Sequence, residues 1–307
     1  MKVKNLDFNN NLVLAPLAGV SDVGMRFLCS NFGADATFTE MLSARAMAHN
    51  PKKTKYLTLT TDAEKIKIAQ IFGKEPEFMA KACQNNMLEK FDGIDINMGC
   101  PAPKIVRNGE GSALLKDPVL ASKIILACVN STDKPVSVKM RLGFDKNVGL
   151  EFAKMCEESG ASFITVHGRT QNELFSGKVN LEEIAKIKAN LKIPVIGNGD
   201  VVDLRTYEEM LKTGVDAVMI GRGAQGKPWI FSSLLGKDVN PNVYDVAKTH
   251  VGILRKYFDE KWITLYMRKH FLWYISGSKA SREQRAQIAI SDSVDKSLDI
   301  IKNIFCN

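Results

Sequence analysis

The residue that invites chemistry first is Cys100, in the run Ile94-Asp95-Ile96-Asn97-Met98-Gly99-Cys100-Pro101-Ala102-Pro103. An apolar/polar alternation running into Gly-Cys-Pro reads as a buried strand that ends in a stiffened loop. A thiol held there is a candidate acid, nucleophile or redox group. The following Lys104, Arg107 and Asn108-Gly109-Glu110-Gly111-Ser112 add cations and a glycine-rich loop beside it. Other polar side chains recur in the same setting, at the ends of short apolar runs. They are Gln70, Asn97, Lys139 with Arg141, His167 with Arg169, Asn198-Gly199-Asp200 and Gly221-Arg222.

Something must bring these positions together. Eight strand-like runs begin at Leu12, Ala36, Lys67, Gly93, Val136, Phe163, Pro194 and Ala217. Helix-like segments lie between them, over 22–32, 76–88, 118–129, 150–159, 181–189 and 204–213, with a further helix over 40–50 and looser chain to about 62. Strand–helix alternation repeated eight times predicts a parallel sheet closed into an α/β (β/α)8 TIM barrel. An open doubly wound sheet is the alternative, but its GxGxxG turn is missing after the first strand, which ends Ala15-Pro16-Leu17-Ala18-Gly19. A barrel keeps its active site at the C-terminal strand ends, with a phosphate site after strands seven and eight. Asn198-Gly199-Asp200 and Gly221-Arg222 fall there, offering bare amides and a guanidinium. Lys139 adds a central cation, which suits a ring that becomes anionic on reduction. Flavin mononucleotide fits this set, and so does a phosphorylated substrate.

The pattern changes after Gly221. Asp238-Val239-Asn240-Pro241 reads as a linker, which places a barrel domain over residues 1–238 and an all-helical C-terminal domain over 239–307. Three helices are expected there, over 244–259, 264–275 and 282–304. The middle one interleaves Arg268, Lys269 and His270 with Tyr266, Phe271, Trp273 and Tyr274, a mixture that suits RNA phosphates and unstacked bases. Packing of that helix onto the barrel accounts for part of the same pattern.

Composition narrows the setting. The 307 residues carry 42 Lys and Arg against 34 Asp and Glu, a net charge of +8, and half of that excess lies in residues 241–307. Such asymmetry points to a polyanionic partner. No apolar run approaches a bilayer span, and the first residues lack the apolar core of a signal peptide, so a cytoplasmic protein with no membrane association is expected. The six cysteines are scattered with no metal-ligand spacing, which reads as reduced thiols and no metal.

With these motifs in place, the chain resembles the tRNA-dihydrouridine synthases, closest to the bacterial B-type branch. The resemblance rests on Ala15-Pro16-Leu17-Ala18-Gly19-Val20-Ser21-Asp22, Asp95-Ile96-Asn97-Met98-Gly99-Cys100-Pro101, Gly111-Ser112-Ala113-Leu114-Leu115, Val166-His167-Gly168-Arg169-Thr170, Ile196-Gly197-Asn198-Gly199-Asp200, Met219-Ile220-Gly221-Arg222-Gly223-Ala224-Gln225-Gly226 and Arg268-Lys269-His270. It covers nearly the whole chain. Two departures are Leu17, where Met is usual, and Gln171-Asn172 after Thr170, where a basic residue is common.

The resemblance implies a flavoenzyme that reduces the 5,6 double bond of a tRNA uridine, in the D-loop for this branch. FMN would be the bound cofactor and NADPH (or NADH) its reductant. Pro16, Leu17, Ala18, Gln70, Lys139, His167, Asn198, Gly199, Asp200, Gly221 and Arg222 would bind the flavin. Cys100 would deliver a proton to uracil C5. Asn97, Arg141 and Arg169 would orient the flipped base, while Arg268 and Lys269 would touch the RNA of a protein acting as a monomer. Two rival readings remain: a flavin barrel that reduces a free pyrimidine or orotate, and a non-catalytic RNA-binding protein on a barrel scaffold.

Overall fold

The computed structural model describes residues 1–49 and 54–306. The expected helix over 40–50 appears as α2 (Ala44–His49), and its last residue lies outside the described residues. The chain opens with a small antiparallel hairpin, β1 (Lys2–Val3) and β2 (Leu6–Asp7). The barrel strands follow: β3 (Leu12–Leu14), β4 (Ala36–Phe38), β6 (Ile66–Phe72), β7 (Gly93–Met98), β8 (Val136–Gly143), β9 (Phe163–Thr170), β10 (Val195–Asn198) and β11 (Ala217–Ile220), with a short extra strand β5 (Leu42–Ser43) beside β6. All the barrel pairings are parallel, and the β4–β6 and β11–β3 contacts close the ring. This is the (β/α)8 barrel expected from the alternation.

The period-2 pleat sorts the strand residues. One parity (Leu12 and Leu14, Ile94 and Ile96, Val136 and Val138, Ile164 and Val166) packs outward against the helices. The other parity points inward and changes character along the barrel. At the N-terminal end it is apolar, with Val13, Phe38, Ile68, Phe163, Ile196 and Met219 packed on Leu6 and Phe8 from the hairpin. Toward the C-terminal end it turns polar, with Asp95, Asn97, Ser137, Lys139, His167 and Asn198, most of them buried. An apolar plug under a polar mouth is how this fold spends its inward positions.

Six barrel helices fall where the periodicity placed them: α1 (Val23–Asn31), α3 (Pro76–Cys83), α5 (Pro118–Val129), α6 (Gly149–Glu158), α7 (Leu181–Asn190) and α8 (Leu204–Leu211). Pro76 and Pro118 stand at first helical turns, where the missing N–H costs nothing. A short α4 (Pro103–Arg107) follows Cys100, and α9 (Ile230–Leu234) leads out of the barrel.

The C-terminal helices are α10 (Val243–Leu254), α11 (Glu260–Tyr274), α12 (Arg282–Ile290) and α13 (Val294–Phe305). The single helix expected over 282–304 is therefore two. Ser293 breaks it by capping α13 through the Lys296 N–H, and Arg268 donates to the Ile290 and Ser291 carbonyls at the end of α12. The local Ser293 cap and the contact from Arg268 on α11 together outcompete helix continuation.

The seam between barrel and C-terminal helices has its own apolar core, including Val23, Leu28, Val251, Ile263, Met267 and Phe271. Buried in it is a polar key. Asp22 caps α1 through the Gly24 and Met25 N–H groups and also meets His250 Nε2 at 2.9 Å and the Tyr266 hydroxyl at 3.3 Å. Tyr274 meets the other nitrogen of His250 at 2.9 Å. Burial pushes the Asp22 carboxyl up, but His250, His270 and the capping N–H outweigh it and hold the group well below the usual carboxylate range.

Candidate active site

A cavity of about 530 Å³ opens at the C-terminal ends of the strands, within the size range of cofactor and substrate sites. Pro16, Leu17 and Ala18 form one wall. Asn97 and Cys100 form another, Lys139, Arg141 and His167 reach in from β8 and β9, and Asn198-Gly199-Asp200 with Gly221-Arg222 close the ring. Thirteen of the expected site residues thus share one cavity.

The backbone is built for this. The left-handed φ of +129° at Gly199 brings its Cα against Val179 and His167, where a Cβ would sit 2.5 Å from Val179 Cγ2. Gly111 closes the thiol loop: a Cβ there would stand 2.9 Å from the Cys100 carbonyl oxygen, and the Ser112 N–H donates to that same oxygen at 3.1 Å. The glycine-rich run after Cys100 is thus a backbone clamp on the cysteine. Asn97 holds the other side, accepting the Cys100 N–H at 2.9 Å and the Gly99 N–H at 3.2 Å.

Charge is concentrated here. Lys139 donates to Asn198 Oδ1 at 3.1 Å. Burial and the neighbouring Arg141 bring its pKa down to about 8, while Asp95 and Cys100 favour its charged form. Arg141 donates to the Gly99, Thr170 and Leu174 carbonyls, so it ties the thiol loop to the loop after β9. Burial, with four nearby cations, drives the His167 pKa well down, so the ring is neutral at pH 7. The Cys100 thiol is pushed above its ordinary value by burial, against opposing effects of the Ala102 N–H, Arg141 and Lys139. At neutral pH it is a protonated thiol beside two cations, an arrangement suited to giving up a proton.

Four expected residues lie elsewhere. Gln70 is fully buried beneath the cavity, donating to Asp95 and accepting from Asn97. Arg169 is buried behind the wall, where it forms a two-pronged ion pair with Asp200 and donates to the Ser176 and Gly177 carbonyls. Arg268 caps α12, and Lys269 lies in the seam, over the Tyr266 ring and against Gly19. Phe175, which no strand-end spacing marks, lines the cavity while 52% exposed and stands 4.6 Å beneath the Arg222 guanidinium. Its signal is an unpaired aromatic in a polar loop, Asn172-Glu173-Leu174-Phe175-Ser176.

The geometry can be set against known proteins. The family model "Dihydrouridine synthase (Dus)" matches residues 13–305. The chain belongs to the dihydrouridine synthase family. A probable tRNA-dihydrouridine synthase of Rickettsia conorii is 38% identical over 301 residues, covering 94% of this chain and 91% of that protein. The tRNA-dihydrouridine synthase B of Pseudomonas aeruginosa is 35% identical over 308 residues, covering 96% and 93%. The same-named protein of Proteus vulgaris is 35% identical, covering 100% and 99%. Among solved structures, a variant of NCR from Zymomonas mobilis superposes with a TM-score of 0.55 at 16% identity, over 80% of this chain and 93% of that one, a likeness of fold alone. This dihydrouridine synthase chain carries the family match through both the barrel and the C-terminal helices.

Proposed function

We propose that the protein is an FMN-dependent tRNA-dihydrouridine synthase that reduces a D-loop uridine and draws its electrons from NADPH. The observation that carries this reading is the Cys100 thiol, clamped by Asn97 and Ser112 at the wall of a cation-lined cavity in a chain of this family. The cavity suits FMN by its donors. A central amine, Lys139, faces the amide-rich turns at Gly199 and Gly221, with Arg222 at the rim. A Cβ at Gly221 would find only Ala15 nearby, at 3.9 Å, so the turn leaves open room for a phosphate. Asp200 is no obstacle to an anion there, since Arg169 and Arg222 both pair with it. Pro16, Leu17 and Ala18 would flank the ring and Lys139 its polar edge, with His167 beside it; Asn198, Gly199, Asp200, Gly221 and Arg222 would hold the phosphate end.

Held there in its reduced form, a flavin would be the source of the hydride that uracil C6 requires. Cys100 gives its proton to C5, and the thiolate that remains is stabilised by Arg141 and Lys139 until solvent reprotonates it. Asn97, at the cavity wall, uses one amide hydrogen on Gln70 and has the other for a uracil carbonyl. Arg141 faces the same base, Gln70 reaches the cavity through Asn97, and Arg169, expected to orient the base, instead braces Asp200 at the phosphate end. The uridine must leave its stack to enter. The basic C-terminal helices supply a docking face, with Lys269 near the β3 loop; Arg268, whose Nε and Nη2 are committed to α12, has Nη1 for a phosphate.

The test is anaerobic. The purified flavoprotein is reduced with NADPH and mixed with tRNA lacking dihydrouridine, and the oxidised flavin band is followed. Return of the band with tRNA but not with uracil or orotate is expected. Reoxidation by a free pyrimidine would move the activity to small-molecule metabolism, and absence of flavin would remove the cofactor from the proposal.

A further inference from the structure

Beneath the cavity runs a directed chain of hydrogen bonds. The Cys100 and Gly99 N–H groups donate to Asn97 Oδ1, Asn97 Nδ2 donates to Gln70 Oε1 at 2.8 Å, and Gln70 Nε2 donates to Asp95 Oδ2 at 2.7 Å. The Ser137 hydroxyl closes it, donating to Asp95 Oδ1 at 2.7 Å. Gln70, Asp95 and Ser137 are fully buried, so no water competes for these groups.

An amide side chain offers a donor on one side and an acceptor on the other, and a half-turn exchanges them. Two ends fix the chain. Backbone N–H groups can only donate, and the Asp95 carboxylate, whose pKa burial raises to about 7, can only accept once the pH exceeds that value. The carboxylate turns the Gln70 amide so that its oxygen faces Asn97, and this in turn turns the Asn97 oxygen toward Gly99 and Cys100. Aligned dipoles of this kind reinforce each other in a dry interior. On β8, Lys139 pairs with Asn97 and stands one inward step above Ser137, the partner of Asp95. Of the groups that face it, Arg141, His167, Asp95 and Cys100, the Asp95 and Cys100 charges favour its charged form and Arg141 opposes it.

We propose that Asp95 is a positioning residue of this enzyme: its carboxylate, acting through Gln70 and Asn97, sets the orientation of the Cys100 loop and keeps Lys139 charged. The proposal rests on the Cys100 and Lys139 roles given above. It extends them to a residue that touches neither the cavity nor a reacting atom.

Asp95→Asn is nearly isosteric and removes only the charge and the directional constraint. At pH 8, where Asp95 is ionised, the flavin-loaded variant is expected to keep its KM for tRNA and lose about tenfold in kcat. The alkaline limb of its pH–rate profile should move to lower pH, because Lys139 loses its proton more easily. A superimposable profile with unchanged kcat would overturn the proposal. A second readout is independent of turnover: the alkylation rate of Cys100 by iodoacetamide, followed by peptide mass spectrometry against Cys306 as the exposed internal reference. Asp95→Asn should change the Cys100 rate severalfold and leave Cys306 alone, and equal rates in both proteins would count against the chain. Should Asp95→Asn fail to fold, Ser137→Ala removes one donor from Asp95 and is expected to shift the Cys100 alkylation profile with pH; an unmoved profile would overturn the proposal in its place. If Cys100→Ala retained turnover while Asp95→Asn still altered alkylation, the proton-donor role would fall and the positioning chain would stand.

Discussion

The barrel mouth and the barrel–tail seam each bury a carboxylate, and the two are tuned in opposite directions. Asp95 meets neutral partners, Gln70 and Ser137, and burial raises its pKa to about 7 despite them and Lys139. Asp22 is buried too, yet His250, His270 and the first N–H groups of α1 overcome the burial penalty and hold it ionised. The difference follows from the supply of positive charge. A helix N-terminus adds fixed partial charge and two oriented donors, and His250 adds a third donor. At the mouth the nearest cation, Lys139, is itself losing its proton readily. The seam is built to stay as it is, whereas the mouth places groups near their titration points, as proton-transfer sites require.

The sharpest way to test that division is to delete one group from each region. Cys100→Ala should cut dihydrouridine formation by a factor on the order of 10² to 10⁴, the usual contribution of a positioned acid, while flavin content and NADPH oxidation stay normal. Quantifying dihydrouridine in tRNA by mass spectrometry checks this, and turnover equal to wild type would remove the thiol from the reaction. Asp22→Ala should do the reverse. It strips the α1 cap, about 1 kcal/mol, and leaves buried His250 without its charged partner, about 2 kcal/mol more. Urea unfolding should show a loss of about 3 kcal/mol, with chemistry per folded, flavin-loaded molecule nearly unchanged. A stability loss under about 1 kcal/mol would mean the seam is held by its apolar core alone.

The two carboxylates also predict opposite responses to pH. Asp22 has a depressed folded-state pKa, so its stabilisation is present above the ordinary carboxylate pKa of about 4 and is lost as the pH falls below it. Asp95 has a raised one. Between about pH 4 and 7 the native state holds the proton more tightly than the unfolded chain, so its contribution to stability declines as pH rises through that window and levels off above it. Thermal melts from pH 4 to 8 should therefore show Asp95→Asn gaining on wild type as pH rises. A constant gap would mean that Asp95 does not titrate in that window.

Much of this was legible in the sequence because the barrel writes its rules in period 2 and in strand-end residues. Lys139 and Asn198 are inward positions of apolar strands, Cys100 stands two residues beyond another, and the fold leaves such positions facing the mouth. Gln70 and Arg169 stand in the same sequence setting but are buried under or behind the wall. Strand-end placement does not distinguish a side chain that touches a ligand from one that orients its neighbour. That depends on depth along the barrel axis, which is set by strand stagger. Asp95 carried no separate signal for the same reason, being one inward step below Asn97. The split between α12 and α13 was written in Ser291-Asp292-Ser293, but only the reach of Arg268 from another helix shows why the chain stops there.

Arg268 gives the smallest effect and bears on the seam from its far side. Its guanidinium occupies the α12 carbonyls through Nε and Nη2, so two roles compete for one side chain. Arg268→Gln should cost about 1 kcal/mol of stability, the net value of a hydrogen bond to a charged donor at a partly exposed site. If Nη1 also meets a phosphate, the variant should weaken tRNA binding a few-fold and reduce the salt dependence of that binding by about one counterion. Filter binding at several salt concentrations separates the two. A stability loss with an unchanged salt slope assigns Arg268 wholly to the fold and leaves RNA contact to other cations of the C-terminal helices. A changed slope places the RNA against the α11 face that carries Arg268.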